Sequence, residues 1–381
     1  MGFGLIITAG DNGAPLSKDA MKWIVEARVE MELSKPTRFA LRFEDDECDG
    51  APAMAETDEL GENVKVGLFA KLASGELECL VYGPVTEVKS STKLGGAGSW
   101  VEFHGSDRRI EMSRVGVNHT YTGHASAAAE GILSAFGFTP KVQQTLIVHD
   151  KRDLPLGQNT NDLAFLEEVA RKNNMDLWIS YAASRASAEA PVTVTETAHF
   201  ETSPHREQSG GSTAAPSPPV LAPAPERSLS VNPGRRDCPK VTRFEAKIDY
   251  ESPTSAEGFA MTDQGEVVQE IVDASEPSSL KEDPRPINGV ERKAISNDAP
   301  TGEQGYLARE AIVIERSWFV EVQSTTTFDL AEFYLRPHQI ITFTHAGARL
   351  SGAYQVMKTT HVVTASDHFM DFTARANGLG A

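Results

Sequence analysis

The 381-residue sequence is short of cysteine, of basic clusters and of long apolar runs, and each shortage closes off a class of protein. Its three cysteines, Cys48, Cys79 and Cys238, are odd in number, far apart and never spaced as C-x-x-C. That argues against a disulfide framework and a cysteine-based zinc site, and it fits a reducing compartment. No stretch approaches the roughly 20 apolar residues that a membrane-spanning helix needs, and no basic N-terminal segment leads into an apolar run of signal length. No membrane span and synthesis in a cytosol are the expectation. Lysine and arginine total 36 against 54 acids, a net charge of −18. Binding to phosphate backbones or anionic lipid needs clustered cations, so direct nucleic-acid recognition is not expected.

Signatures of catalysis are missing as well. His361 and His368, with His338 nearby, have no Cys or Glu at zinc-motif spacing. There is no G-x-S-x-G elbow, and "GDNGAP" at 10–15 and "GGAG" at 95–98 lack the strand-to-helix context of a phosphate cradle and read as turns. Asp162, Glu167 and Glu168 form the one acidic group that resembles a hydrolase pair. Adjacent helical residues point about 100° apart, so Glu167 and Glu168 cannot face one substrate, and a solvated outer face accounts for them. No catalytic, cofactor-binding or metal-binding residue is assigned, and an enzyme is not expected.

What the sequence does have is alternation. "KWIVEARVEMEL" places Trp23, Val25, Ala27, Val29 and Met31 on one face, and after the turn "SKPT" the run "RFALRFED" places Phe39, Leu41 and Phe43 opposite Arg38, Arg42 and Glu44. "NVKVGLFA", "ELECLVYG", "PVTEVKS" and "SWVEFHG" continue the period of two, so residues 1–115 read as a small antiparallel barrel or sandwich. From 116 to 185 the pattern is α+β. The Ala-rich helix "ASAAAEGILSAFGF" ends at Gly137, and a second helix runs from a Thr160 cap through Leu163, Leu166, Val169 and Ala170 to Asn173 and Asn174. "MDLWIS" then alternates as a strand.

Residues 186–239 are rich in Pro, Ser and Ala and read as a linker or an irregular excursion. Alternation returns at 240–381. There "TRFEAKIDY" sets Phe244, Ala246 and Ile248 against Arg243, Glu245 and Lys247, echoing "RFALRFED". An acidic, poorly periodic insertion occupies 262–303, "GYLAREAIVIERSW" reads as a helix, and strands "WFVEVQSTT", "QIITFTH", "GAYQVMKTTHVV" and "HFMDFTAR" follow.

Several segments, taken in order, resemble the phage late control protein D and baseplate hub family, which includes the N-terminal hub part of VgrG spike proteins. They are "GENVKVGLFA…LVYGPVTEVKSS", "VEFHGSDRRIEMSR", and the run through Gln158, Asp162, Phe165, Leu166 and Trp178. The last is "YLRPHQIITFTHAGARLSGAYQVMKTTHVV…FMDFTARANGL", which includes Tyr354 and carries His338 where the family usually has glycine. The resemblance implies an α+β, mostly antiparallel β protein. Two tail-tube-like β-barrel domains would flank a small α+β domain, and three copies would close a pseudo-sixfold ring around a channel. The implied role is a noncatalytic hub of a contractile phage tail or related injection system, made in the bacterial cytoplasm. Its implied partners are a homotrimer, a tail tube protein, other baseplate components and a tape measure or cargo in the channel. The chain stops soon after the hub-like strands, so a separate spike protein is expected below it. Leu166, Val169 and Trp178 are then expected in the core of a packing joint between barrels, and the strands around Phe39, Arg42, Arg243 and Phe244 on ring surfaces. A tail-tip cell-wall hydrolase and a hexameric tube or adaptor protein are the competing readings.

Overall fold

The computed structural model describes residues 4–45, 53–72, 74–93, 97–152, 155–187, 190–202, 227–234, 237–253, 255–261, 267–273, 280, 283–284, 292–296 and 318–380. The helix expected at 305–318 lies almost wholly outside these residues.

Alternating sequence becomes mostly antiparallel sheet, with parallel pairs at Thr139–Val142, Ser228–Ser230 and Lys293–Ser296. The N-terminal half supplies β1 (Leu5–Ala9), β2 (Ile24–Glu32), β3 (Arg38–Glu44), β4 (Lys65–Lys71), β5 (Leu77–Ser91) and β6 (Trp100–Ser106). "ELECLVYG" and "PVTEVKS" are one strand, β5, not two. It pairs with β4 as far as Pro84 and with β6 from Val85 on, with a register break between Val85 and Glu87. Just before the change of partner lies Gly83, where a β-carbon would collide with the backbone of Ser106 and Asp107. A second bulge, between Ile24 and Glu26, corrects the alternation expected at the start of β2. Ile24 is buried there and Val25 is turned partly outward.

The middle of the chain contributes α1 (Ala125–Ala135), β7 (Thr139–Val142), α2 (Asp162–Lys172), β8 (Asp176–Ser184) and β9 (Thr193–Glu201). Asn161, not Thr160, caps α2, accepting from the Ala164 amide at 2.9 Å. Asn173 closes the helix and Asn174 takes the left-handed conformation beyond it. Strand β9 corrects the linker expectation for 186–239. Its "TVTETAHFE" alternates, burying Glu196, Ala198 and Phe200, and it pairs with β8 along its whole length. Low overall hydrophobicity concealed a strand that has only one face to bury. Residues 203–226, the Pro-rich centre of that range, lie outside the described residues.

The C-terminal half adds β10 (Ser228–Ser230), β11 (Arg243–Ile248), β12 (Ser255–Met261), β13 (Val267–Asp273), β14 (Lys293–Ser296), β15 (Val320–Thr327), β16 (Ile340–Thr344), β17 (Gly352–Val363) and β18 (His368–Ala376). Strands β12, β13 and β14 form a separate small sheet with β12 at its centre, so the insertion expected to be aperiodic carries two strands, β13 and β14.

The main sheet runs in the order β7-β9-β8-β5-β6-β3-β2-β17-β18-β15-β11. Its central seam is β2 against β17, where Glu32 to Ala27 pair with Lys358 to Val363. The seam joins the N- and C-terminal strand sets edge to edge. Beneath it lies one apolar cluster drawn from both sets, including Val29, Leu41, Phe43 and Phe103 from one and Val322, Phe343, Tyr354 and Phe372 from the other. A second cluster, between α1, α2, β8 and β9, holds Leu133, Leu166, Leu177 and Phe200.

Candidate assembly joint

The turn of the β2–β3 hairpin is gripped by a buried ion pair. Asp107 caps the helical turn Arg108–Ser113, accepting from the Arg109 amide at 2.9 Å, and its other oxygen accepts from the Thr37 amide at 2.5 Å. The Arg109 guanidinium donates to Asp107 at 2.7 Å, to the Lys35 carbonyl at 2.7 Å and to the Leu177 carbonyl at 2.9 Å. Both side chains are almost fully buried. Three segments far apart in sequence are thereby tied to one planar cation whose fork suits several acceptors. Burial opposes the charge on Arg109, but the attraction and hydrogen bonds of Asp107 outweigh it and hold the guanidinium above its ordinary pKa.

Glu167 of α2 lies beside this pair and is half-buried, which corrects its expected place on a fully solvated face. Burial raises its pKa, partly offset by Arg109. Glu168 is exposed and pairs with Lys172 at 2.6 Å, and Asp162 accepts from Gln158 Nε2 at 2.7 Å. The three acids therefore face three different environments.

Strand parity at β8 sets what lies above the joint. Leu177, opposite Phe200, points into the cluster under α2, so Trp178, opposite His199, points out of it. This corrects the expectation that Trp178 is a core residue. Its indole stacks on His199 with ring centroids 4.6 Å apart and planes 5° apart, and meets the His338 ring at 4.3 Å with a tilt of 31°. His338 comes from the segment before β16, so the stack bridges the α+β segment and the C-terminal strands. The residue adopts φ +70°, a left-handed conformation that glycine takes without strain. Its imidazole is pushed down to about 3, chiefly by burial. Asp176 faces the same ring at 3.9 Å and accepts from Ser34 Oγ at 3.1 Å, returning to the β2–β3 turn.

The other candidate assembly residues divide by face. Leu166 is 0 % and Val169 4 % exposed, both in the cluster under α2. Phe39 is buried over Gly105, its cross-strand partner, where any β-carbon would strike the ring. Tyr354 is buried, packs edge-on against Phe343 and donates from its hydroxyl to the Leu350 carbonyl at 2.7 Å. Arg42 is turned outward in a cross-strand row, Lys89–Glu102–Arg42–Glu26, whose charges alternate across four strands. It donates to Glu44 at 2.9 Å and to Glu102 at 3.3 Å and lies over the Trp100 ring. Arg243 donates through two nitrogens to Glu245 at 3.0 and 2.8 Å on β11, the last strand of the sheet, and Phe244 packs edge-on against Phe343 from the same strand.

Asp107 and Arg109 were not singled out from the sequence. They sit within the quoted run "VEFHGSDRRIEMSR", but no local signal separates a buried arginine from its exposed neighbours before the β2–β3 turn is placed. Among the described residues, no group of three or more His, Cys, Asp or Glu side chains is arranged to hold a metal ion. No helix among them is long and apolar enough to cross a membrane.

No family model matches the sequence, and no curated protein matches it. Solved structures do match in fold. The tail protein from Neisseria meningitidis MC58 superposes with a TM-score of 0.60 at 11% identity, covering 98% of this chain and 97% of that one. The prophage MuSo2 43 kDa tail protein from Shewanella oneidensis has a TM-score of 0.60 at 11% identity, with 97% of each chain covered. A chain of the Francisella PdpA–VgrG complex, in its half-lidded form, gives 0.54 at 8% identity over 98% of this chain and 57% of that one. The chain therefore has the mostly antiparallel β fold of phage tail proteins and of a chain in the Francisella PdpA–VgrG complex, the group its sequence motifs resemble.

Proposed function

We propose that the protein is a structural hub of a contractile tail or related injection machine, acting as a homotrimer that joins a sixfold tube to a threefold spike around a channel. The observation that carries this reading is the seam between β2 and β17. Four strands of the N-terminal set (β5, β6, β3, β2) and four of the C-terminal set (β17, β18, β15, β11) meet there in one continuous sheet. Two comparable four-stranded faces in one chain would present six in a ring of three copies, which fits a hexameric tube on one side and a trimeric spike on the other. The division into a first barrel at 1–115, an α+β unit at 116–185 and a second barrel at 240–381 belongs to this proposal. So do the partners: a tube protein, a separate spike, other baseplate components and a tape measure or cargo in the channel. The Asp107–Arg109 and Trp178–His338 contacts would hold the α+β unit rigidly against both faces.

Light scattering of the purified chain, alone and mixed with tube and spike proteins from the same system, tests the reading. A trimer, or a monomer that becomes trimeric on the spike, is expected. A hexamer would favour a tube protein, and a monomer indifferent to both partners would overturn the proposal. Charge reversal at Arg42 and Arg243 is expected to weaken ring closure or tube docking, and unchanged assembly would remove those strands from the interface.

A further inference from the structure

The hairpin β8–β9 carries a hydrogen-bonded series that the joint does not require. His199 Nδ1 lies 2.7 Å from Glu201 Oε1, and His199 Nε2 lies 2.7 Å from Ser180 Oγ. Burial acts to raise the Glu201 pKa, but hydrogen bonds from His199 and Lys141 outweigh it and lower the value, so the carboxylate is ionised and only accepts. Nδ1 must then carry the imidazole proton. In the neutral ring Nε2 is left as an acceptor, and the Ser180 hydroxyl must donate to it. The ring is fixed on its flat side by Trp178 and at its edge by Glu201. His199 and Glu201 are each 13 % exposed and Ser180 is half-buried, so the group lies at the surface.

These are the relations of a nucleophile, its base and the carboxylate that orients the base. We propose that Ser180 is a base-activated nucleophile that takes an acyl or phosphonyl group from an activated ester-type donor. In the step, Ser180 Oγ bonds to the carbonyl carbon of an acyl donor, or to the phosphorus of a phosphonyl donor, while its proton passes to His199 Nε2. The bond from that carbon to the leaving oxygen, or from that phosphorus to the leaving oxygen or fluoride, breaks, and the leaving group departs with the proton from Nε2. Nothing is oxidised or reduced. Ser180 lies mid-strand, in register with Thr197, and no helix among the described residues begins beside it to supply oxyanion donors. The geometry thus supports a single transfer to Ser180 and slow release, not rapid turnover. The inference does not depend on the hub reading, and trimer formation neither supports nor opposes it.

The test is to treat the native full chain with a fluorescent fluorophosphonate, and separately with 4-nitrophenyl acetate, and to locate adducts by peptide mass spectrometry. Labelling should fall on Ser180, approach one group per chain and vanish in Ser180→Ala, a variant whose melting temperature should match the wild type. His199→Asn should slow labelling by about 100-fold, the lower end of what a positioned general base contributes, and Glu201→Gln by a smaller factor. Any of three results would overturn the proposal. They are no adduct at Ser180, labelling equal in native and urea-unfolded protein, or a rate unchanged in His199→Asn. Each would leave the series as a support that only holds His199 against Trp178.

Discussion

Two arginine–carboxylate pairs two residues apart, Asp107 with Arg109 and Arg243 with Glu245, show how much burial decides. Both have near-ideal donor distances. The first is sealed under the β2–β3 turn, and its guanidinium also satisfies two backbone carbonyls from distant segments. The second lies open to water on the last strand of the sheet, with side chains more than half exposed. Charge in water is already well solvated, so the open pair adds little to folding. The closed pair cannot lose one member without stranding the other. The same kind of ion pair is a structural pin in one place and surface decoration, available to a partner, in the other.

Helix α2 repeats the contrast within one turn and gives the largest expected effect. Leu166→Asp would place a carboxylate among Leu133, Val169 and Phe200 and is expected to abolish folding and assembly, seen as loss of the cooperative melting transition. Arg109→Ala should destabilise the chain by about 3–5 kcal/mol in urea denaturation, because Asp107 would remain buried without its cation. An effect there no larger than that of Arg243→Ala would erase the distinction between the two pairs.

Acid should sharpen it. His338 is held down to about 3 and His368 to about 4, chiefly by burial, while the unfolded chain titrates near the ordinary value of 6.5. The unfolded state therefore binds more protons across that window, and stability falls as pH drops below about 6.5. Between pH 7 and 5 the loss should reach up to about 2 kcal/mol for a fully buried imidazole. His338→Gly should flatten part of the curve, whereas an unchanged slope would mean that His338 is not buried neutral.

His338 also separates strain from stacking. His338→Ala loses the contact with Trp178 but keeps a β-carbon at φ +70°, whereas His338→Gly loses both. The glycine variant should be the more stable of the two by about 1 kcal/mol. Equal stabilities would show that the backbone is not strained there. At the smallest end, Glu168→Ala removes an exposed pair with Lys172 and should change stability by no more than about 0.5 kcal/mol and leave assembly intact. Loss of assembly would move the interface onto the outer face of α2.

The sequence by itself determined which segments alternate, and hence most of the described strands, the helices α1 and α2 and the inward set Phe39, Leu41, Leu166 and Val169. Side-chain periodicity is a local property that needs no knowledge of the partner strand. Where several residues compete for two faces, the tertiary structure decided. A bulge turned Ile24 inward in place of Val25, and the pairing of Leu177 with Phe200 sent Trp178 out to meet His199 and His338. Composition averaged over a Pro-rich stretch hid β9, and with it His199 and Glu201, because a one-sided strand needs few apolar residues. The Asp107–Arg109 pin and the Ser180–His199–Glu201 series join residues between 2 and 74 positions apart. Their chemistry comes from burial and from cross-strand register, and neither exists until the sheet has closed around them.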